Sequence, residues 1–195
     1  MFAPSLGVDF GSSTIKAVAV SGDAENLSID AWAEIATPKG SIRDFQLQDV
    51  DRVSQTFKQL LRMLPSKYKY AATAVNGSSV ITKITQVASN INQTDFENIV
   101  MMEAEQLIPF PLDEVSLDFE VLGPNTTDPS RNDVLICAAR SQSIASAISV
   151  FNDCDLTVKV VDVGMHALTR AIVSLEKSLQ TTDANKYCAL VDIGD

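Results

Sequence analysis

A chain of 195 residues with 46% hydrophobic content is long enough for one to two domains around a buried core. Its 25 Asp+Glu against 15 Lys+Arg give a net charge of −10, which argues against a nucleic-acid binder, whose affinity rests on cations that neutralise phosphates. Neither a basic, apolar leader nor a run of about 18 apolar residues is visible, so a cytoplasmic protein is expected.

In chain order, residues 6–10 and 14–20 read as strands around a tight turn, and the alternating "LSIDAWAEIA" (27–36) as a third, with Trp32 in the core or on the sheet surface. Val50, Val53, Phe57, Leu60, Leu61 and Leu64 recur at helical spacing, with Asp49 as N-cap and Pro65 past the end. "YAATAV" (70–75) is a short buried strand. A different module follows. "VITKITQV" (80–87) is a strand, and Thr94 with Glu97 forms a capping box for a helix to about Leu107. Pro109 and Pro111 in "IPFPL" stop that helix by forcing their predecessors into extended backbone. Strands over 115–123 and 132–140 flank a polar loop, Ser141 or Ser143 caps another helix, and 156–164 is again a strand. The order β-α-β-β-α-β is that of a ferredoxin-like unit, here inserted into a larger α/β host. Met165, Leu168, Ile172, Leu175 and Leu179 mark an amphipathic helix of the host, and "YCALVDIG" a last strand. His166 and the pair Met101 and Met102 are expected to serve packing. Cys137, Cys154 and Cys188, widely spaced and without a CxxC pair, read as buried thiols of a reducing compartment.

The opening turn carries chemistry. In "LGVDFGSSTIK" a strand ends on Asp9, the chain turns through Gly11, Ser12 and Ser13, and a strand returns from Thr14 with Lys16. Small residues let backbone N–H groups line a concavity for an anion, the hydroxyls add donors, and Lys16 reaches the same place. Asp9 would repel a bare phosphate but suits the hydration shell of Mg²⁺. A P-loop is absent, and the "DFG" lacks every other kinase element. The second strand end of this form, "ALVDIG", places Asp192 and Gly194 similarly, as if two α/β halves each opened on one clamp.

The paired clamps resemble the two phosphate motifs of the actin/Hsp70/sugar-kinase superfamily, whose host fold is ribonuclease H-like. The resemblance makes Asp9, Gly11, Ser12, Ser13, Thr14 and Lys16 the first clamp, and Asp192 and Gly194 the start of the second, for ATP with Mg²⁺ held through a water on Asp9. "GSSVITK" (77–83), "EAEQLIPFPLDEVSLDFEVLG" (103–123) and "KVVDVGMHAL" (159–168) are similar to the PilM family of type IV pilus assembly proteins, over nearly the whole chain. The resemblance implies an actin-like subdomain over 1–78, an inserted subdomain over 79–163, the closing host helix over 164–186, and the first strand of a second half over 187–195. It further implies a nucleotide-binding adaptor at the cytoplasmic face of the inner membrane, which it reaches through partners. The partner implied is the N-terminal cytoplasmic tail of a PilN-type membrane protein, with other pilus platform proteins beside it. An FtsA-like division protein, or an ATPase or sugar kinase of the same superfamily, is the alternative. Family members are expected to be much longer, so the chain reads as an N-terminal portion with half a cleft. One clamp offers about three charge-assisted hydrogen bonds at ~1.5–3 kcal/mol each, much of it consumed by ordering. About −4 kcal/mol then remains, which is roughly millimolar. Hence no bound cofactor and no hydrolysis are expected of this portion, and no general base is assigned.

Charge places the partner. Between Lys83 and Arg131 lie Asp95, Glu97, Glu103, Glu105, Asp113, Glu114, Asp118, Glu120 and Asp128 and not one Lys or Arg. Such a face either keeps the protein soluble or attracts a basic peptide. The expected docking set is Glu103, Glu105 and Glu114 for charge, with Ile108, Phe110 and Leu112 either as apolar anchors or as ties to the host core.

Overall fold

The structure is a computed structural model and describes residues 5–22, 27–65, 68–77, 80–179 and 189–191. It divides into two compact units, Met1–Gly77 with Ser146–Asp195, and Ser78–Ala145.

The first unit is built on a sheet of β1 (Ser5–Phe10), β2 (Thr14–Gly22), β3 (Leu27–Ala36), β6 (Tyr70–Val75) and β10 (Thr157–Val163), in the order β10-β6-β1-β2-β3. The pairs β1/β2 and β2/β3 are antiparallel, whereas β1/β6 and β6/β10 are parallel. A two-residue turn joins two short strands, β4 (Ile42–Arg43) and β5 (Gln46–Leu47). The helices are α1 (Val50–Leu61), α3 (Ser141–Asn152), which begins in the second unit, and α4 (Gly164–Leu179).

Alternation in the strands decides the buried face. Leu6, Val8, Ile15, Ala17, Ala19, Ala33 and Ala71 point one way and meet Val53, Phe57 and Leu60 of α1 and Val150 and Phe151 of α3. Alanines on the central strands let the helices come close. Phe10, Phe57 and Phe151 close the core in a triangle of edge-to-face contacts, with centroids 5.6, 5.4 and 5.4 Å apart. Asp49 caps α1 as expected, accepting from the Arg52 amide at 3.0 Å. Ser54, also buried on α1, donates to Asp153 at 2.7 Å.

The opposite sheet face is different. Cross-strand partners share a face, so Val160, Ala72, Gly7, Val18 and Trp32 form one row across all five strands. A bulge lies opposite Ala19/Val20, where Ala19 pairs with Ala31 and Val20 with Ile29, leaving Asp30 over. That extra residue flips the phase of the strand. Ile29 and Leu27 therefore turn to the side of Trp32 instead of the core, and all three are exposed, Trp32 at 69%.

The second unit contains β7 (Val80–Ala88), α2 (Gln93–Leu107), a 3₁₀ turn (Leu112–Glu114), β8 (Val115–Pro124) and β9 (Arg131–Arg140). Its three strands are antiparallel in the order β7-β9-β8. Val100 and Ala104 of α2 pack on Val87, Val134, Ile136 and Ala138, with Ile108 and Val115 completing this core. The helix starts at Gln93 with Asn92 as its cap, whose side chain accepts from the Asp95 amide at 2.9 Å, two residues ahead of the expected box on Thr94.

The α/β class holds, and the second unit covers Ser78–Ala145 where an insert over 79–163 was expected. β10 pairs in parallel with β6 of the first unit, and Val150 and Phe151 of α3 lie in the first unit's core. Within residues 78–145 the order is β-α-β-β, so the closing α-β of the expected ferredoxin-like pattern belongs to the host. A short β-branched strand reads alike whichever sheet it completes.

Candidate functional site

The Asp9–Lys16 hairpin forms as the spacing indicates. Asp9 and Lys16 are direct cross-strand partners, and Lys16 Nζ lies 3.5 Å from Asp9 Oδ2 with both side chains half exposed, at 51% and 59%. The Gly11 amide donates to the Thr14 carbonyl at 3.1 Å and closes the turn. Glycine is required there by contact: a Cβ on residue 11 would stand 2.8 Å from the Thr14 carbonyl oxygen. The same Cβ would be 3.8 Å from Asp9 Oδ2 and 3.9 Å from Lys16 Nζ, so the space over Gly11 opens between a carboxylate and an ammonium. Thr14 is half-buried, and Ser12 and Ser13 are exposed.

Thr37, just past β3, holds the loop from behind. Its amide donates to the Ser13 carbonyl at 2.8 Å and its hydroxyl to the Gly11 carbonyl at 2.7 Å. Two carbonyls of the turn are thereby engaged, which favours an anion over a cation as the loop's ligand. Sequence reading missed Thr37, because its partners are 24 and 26 residues away and only the β2/β3 pairing brings them together.

Two further positions share this edge. The parallel strands β1, β6 and β10 end together, and in doubly wound sheets ligands bind at the carboxyl ends of strands. Beyond β6 stands Asn76, and beyond β10 stands Gly164, the first residue of α4. A Cβ on Gly164 would collide with the Asn76 side chain, so the glycine is the space in which that amide lies. Asp162 of β10 is paired with Arg170 of α4 and fixes the start of the helix. Neither Asn76 nor Gly164 carried a signal in the sequence beyond a strand end and a helix start.

Asp192 and Gly194, the expected second clamp, lie outside the described residues. So does Cys188. Cys137 and Cys154 are half-buried and free. Burial pushes the Cys154 thiol up to about 11, with Asp153 and Asp155 adding to the effect and Lys58 opposing it. Burial also raises Cys137, with Asp118 and Glu120 reinforcing it. His166 is half-buried on α4. Among the described residues no cluster of three or more His, Cys, Asp or Glu is placed to hold a metal.

The expected docking set separates into different roles. Ile108 is 4% exposed and belongs to the core of the second unit, so it is not available as a surface anchor. Phe110 and Leu112 are half-buried against the same core, and the Arg140 guanidinium lies over the Phe110 ring at 4.2 Å. The "IPFPL" passage ties the helix end to its own unit. Glu103 is half-buried and accepts from Thr85 at 2.9 Å. Glu105 and Glu114 are exposed, as are Asp118 and Glu120, which share one face of β8.

The family model described as type IV pilus assembly protein PilM matches residues 7–195. Among solved structures, the chain is similar to one titled PilM-PilN type IV pilus biogenesis complex, at 30% identity and a TM-score of 0.78, over 91% of this chain and 51% of that one. The chain thus spans about half the length of that relative. It also matches the cytoplasmic domain of EpsL, an inner-membrane component of the type II secretion system of Vibrio cholerae. That match has 15% identity and a TM-score of 0.51, over 82% of this chain and 57% of that one, and it speaks to fold alone. No helix of the described residues is long and apolar enough to cross a membrane.

Proposed function

From the premise that this chain belongs to the PilM family, with the mixed α/β fold of the actin-like ATPases, we propose that it is a nucleotide-binding adaptor of the type IV pilus assembly platform. In this role it holds the cytoplasmic tail of a PilN-type inner-membrane protein and meets the membrane through that partner. The observation that carries it is the likeness, across nine-tenths of the chain, to a structure whose title pairs PilM with PilN.

The hairpin geometry supports the nucleotide reading. Gly11 leaves room between Asp9 and Lys16, the loop carbonyls are engaged by Thr37, and the serines and Thr14 stand at the rim. A triphosphate there would take its hydrogen bonds from Ser12, Ser13, Thr14 and Lys16. ATP with Mg²⁺ supplies a compact, highly charged ligand that draws two halves of a cleft together, and Asp9 would hold a water of the metal. With Asp192 and Gly194 as the start of the opposing clamp, binding to this portion alone is about millimolar, too weak for turnover.

The partner surface is acidic. Glu105, Asp113, Glu114, Asp118 and Glu120 are exposed on a unit whose stretch from Lys83 to Arg131 holds no cation between its ends. A tail carrying Lys or Arg is drawn to such a surface, mostly through its on-rate. The test is calorimetry with a synthetic peptide of the cognate membrane protein's cytoplasmic tail. Parent protein is expected to bind, and Glu105→Lys with Glu114→Lys to bind at least fivefold more weakly at low salt, with a flatter salt dependence. No heat from the parent would refute the adaptor role, and equal affinity of the reversed variant at low salt would refute the acidic surface.

A further inference from the structure

Phe45 holds a backbone position that burial does not justify. It is second in the two-residue turn between β4 and β5, with φ of 61° next to Asp44 at 48°, where glycine and asparagine are the residues of low steric cost. Yet the residue stays 63% exposed. The base of the turn is firm: Ser41 and Ile42 are buried, and the Ser41 carbonyl accepts from the amides of Gln48 at 2.8 Å and Asp49 at 3.3 Å. A rigid root therefore presents a strained aromatic to Gly77. A Cβ on Gly77 would lie 2.7 Å from Phe45 Cδ2 and 3.4 Å from the Asp44 carbonyl oxygen. Gly77 has a φ of 71° and is the last residue of the first unit. The residue before it, Asn76, is held on its other side by the space at Gly164.

The chain passes between the two units twice, and the two passages are unlike. One, between Ala145 and Ser146, falls inside α3, where the ladder of helical hydrogen bonds keeps the backbone stiff. The other runs through Gly77, the residue type with the fewest backbone restrictions. We infer that Phe45 is a latch on the backbone at Gly77: its ring fills the volume beside that glycine through which its peptide planes would rotate, and the strained turn exists to keep it there. Backbone strain retained on an exposed residue is a mark of such a role.

The test uses the whole chain with Phe45→Gly, Gly77→Ala and the two together. Amide exchange at Asn76 and Gly77 is read residue by residue by NMR, beside thermal melts. Phe45→Gly is expected to melt at or above the parent's temperature, because a strained backbone is relieved, while exchange at Asn76 and Gly77 quickens at least tenfold. Gly77→Ala is expected to melt lower, and adding Phe45→Gly to recover part of that loss, because the ring is the nearest atom group the new methyl meets. Exchange at both residues within twofold of the parent in Phe45→Gly would overturn the latch. A lower melting temperature with faster exchange spread over the whole first unit would overturn it too, by making Phe45 an ordinary packing residue.

Discussion

Gly11→Ala separates what the opening hairpin does for the fold from what it does for a ligand. The added methyl would stand 2.8 Å from the Thr14 carbonyl oxygen, roughly 0.5 Å inside an ordinary carbon–oxygen contact. That oxygen also accepts the 3.1 Å bond from the Gly11 amide, so its retreat opens the bond that closes the turn. One lost backbone hydrogen bond costs about 1 kcal/mol, and disturbance of the two Thr37 bonds about 1 kcal/mol more. Against this, alanine lowers the entropy of the unfolded chain, a gain of about 0.4–1 kcal/mol. The net loss is then about 1–1.5 kcal/mol, or a drop of about 2–6 °C in melting temperature for a chain of this size. Lys16→Met is the companion variant. Its 3.5 Å pair with Asp9 is half exposed on both sides, which makes it worth under about 0.5 kcal/mol. Circular-dichroism melts backed by urea titration measure both. A Gly11→Ala protein as stable as the parent, or a Lys16→Met protein that falls as far as Gly11→Ala, would refute this account of the turn.

Phe57→Ala removes the ring that touches both Phe10 and Phe151, and is expected to lose about 3–5 kcal/mol in urea unfolding, enough to leave a large unfolded fraction at 37 °C. Gly164→Ala should cost about 1 kcal/mol or more, because the methyl must displace the whole Asn76 amide, and Asn76→Ala in the same chain should recover part of that loss in thermal melts. For Cys154 the folded chain holds its proton more tightly than the unfolded chain, about 11 against 9.0. Its contribution to stability is therefore complete below pH 9 and fades as pH rises through about 11. Urea unfolding between pH 8 and 11 should show that decline and should show it flattened in Cys154→Ala.

How much of this was legible in the sequence depended on how local the cause is. The first helix could be placed because Val53, Phe57 and Leu60 repeat at helical spacing and Asp49 precedes them; both signals act within four residues. The Asp9/Lys16 pair could be placed because a short turn fixes its own register. The destination of β10 could not, since the choice between two sheets is made by α3 packing on the first unit's core. Ile108 read either as an anchor or as a core tie, because Pro109 after it only forces extended backbone, and extended backbone at a helix end turns a side chain inward as readily as outward. The β4–β5 turn has no Asn-Gly or Asp-Gly signature; Asp-Phe takes both left-handed positions, with the Phe45 ring beside Gly77, and that contact spans 32 residues.

Trp32 is the chain's single tryptophan, and it stands on the open side of the sheet, away from the aromatic triangle. Its emission will therefore be red-shifted and readily quenched by iodide even in fully native protein. It will change little when the core melts. Any body that settles over the Val160–Trp32 row will shift that emission to the blue, so the native sequence already carries an optical probe for whatever occupies the face.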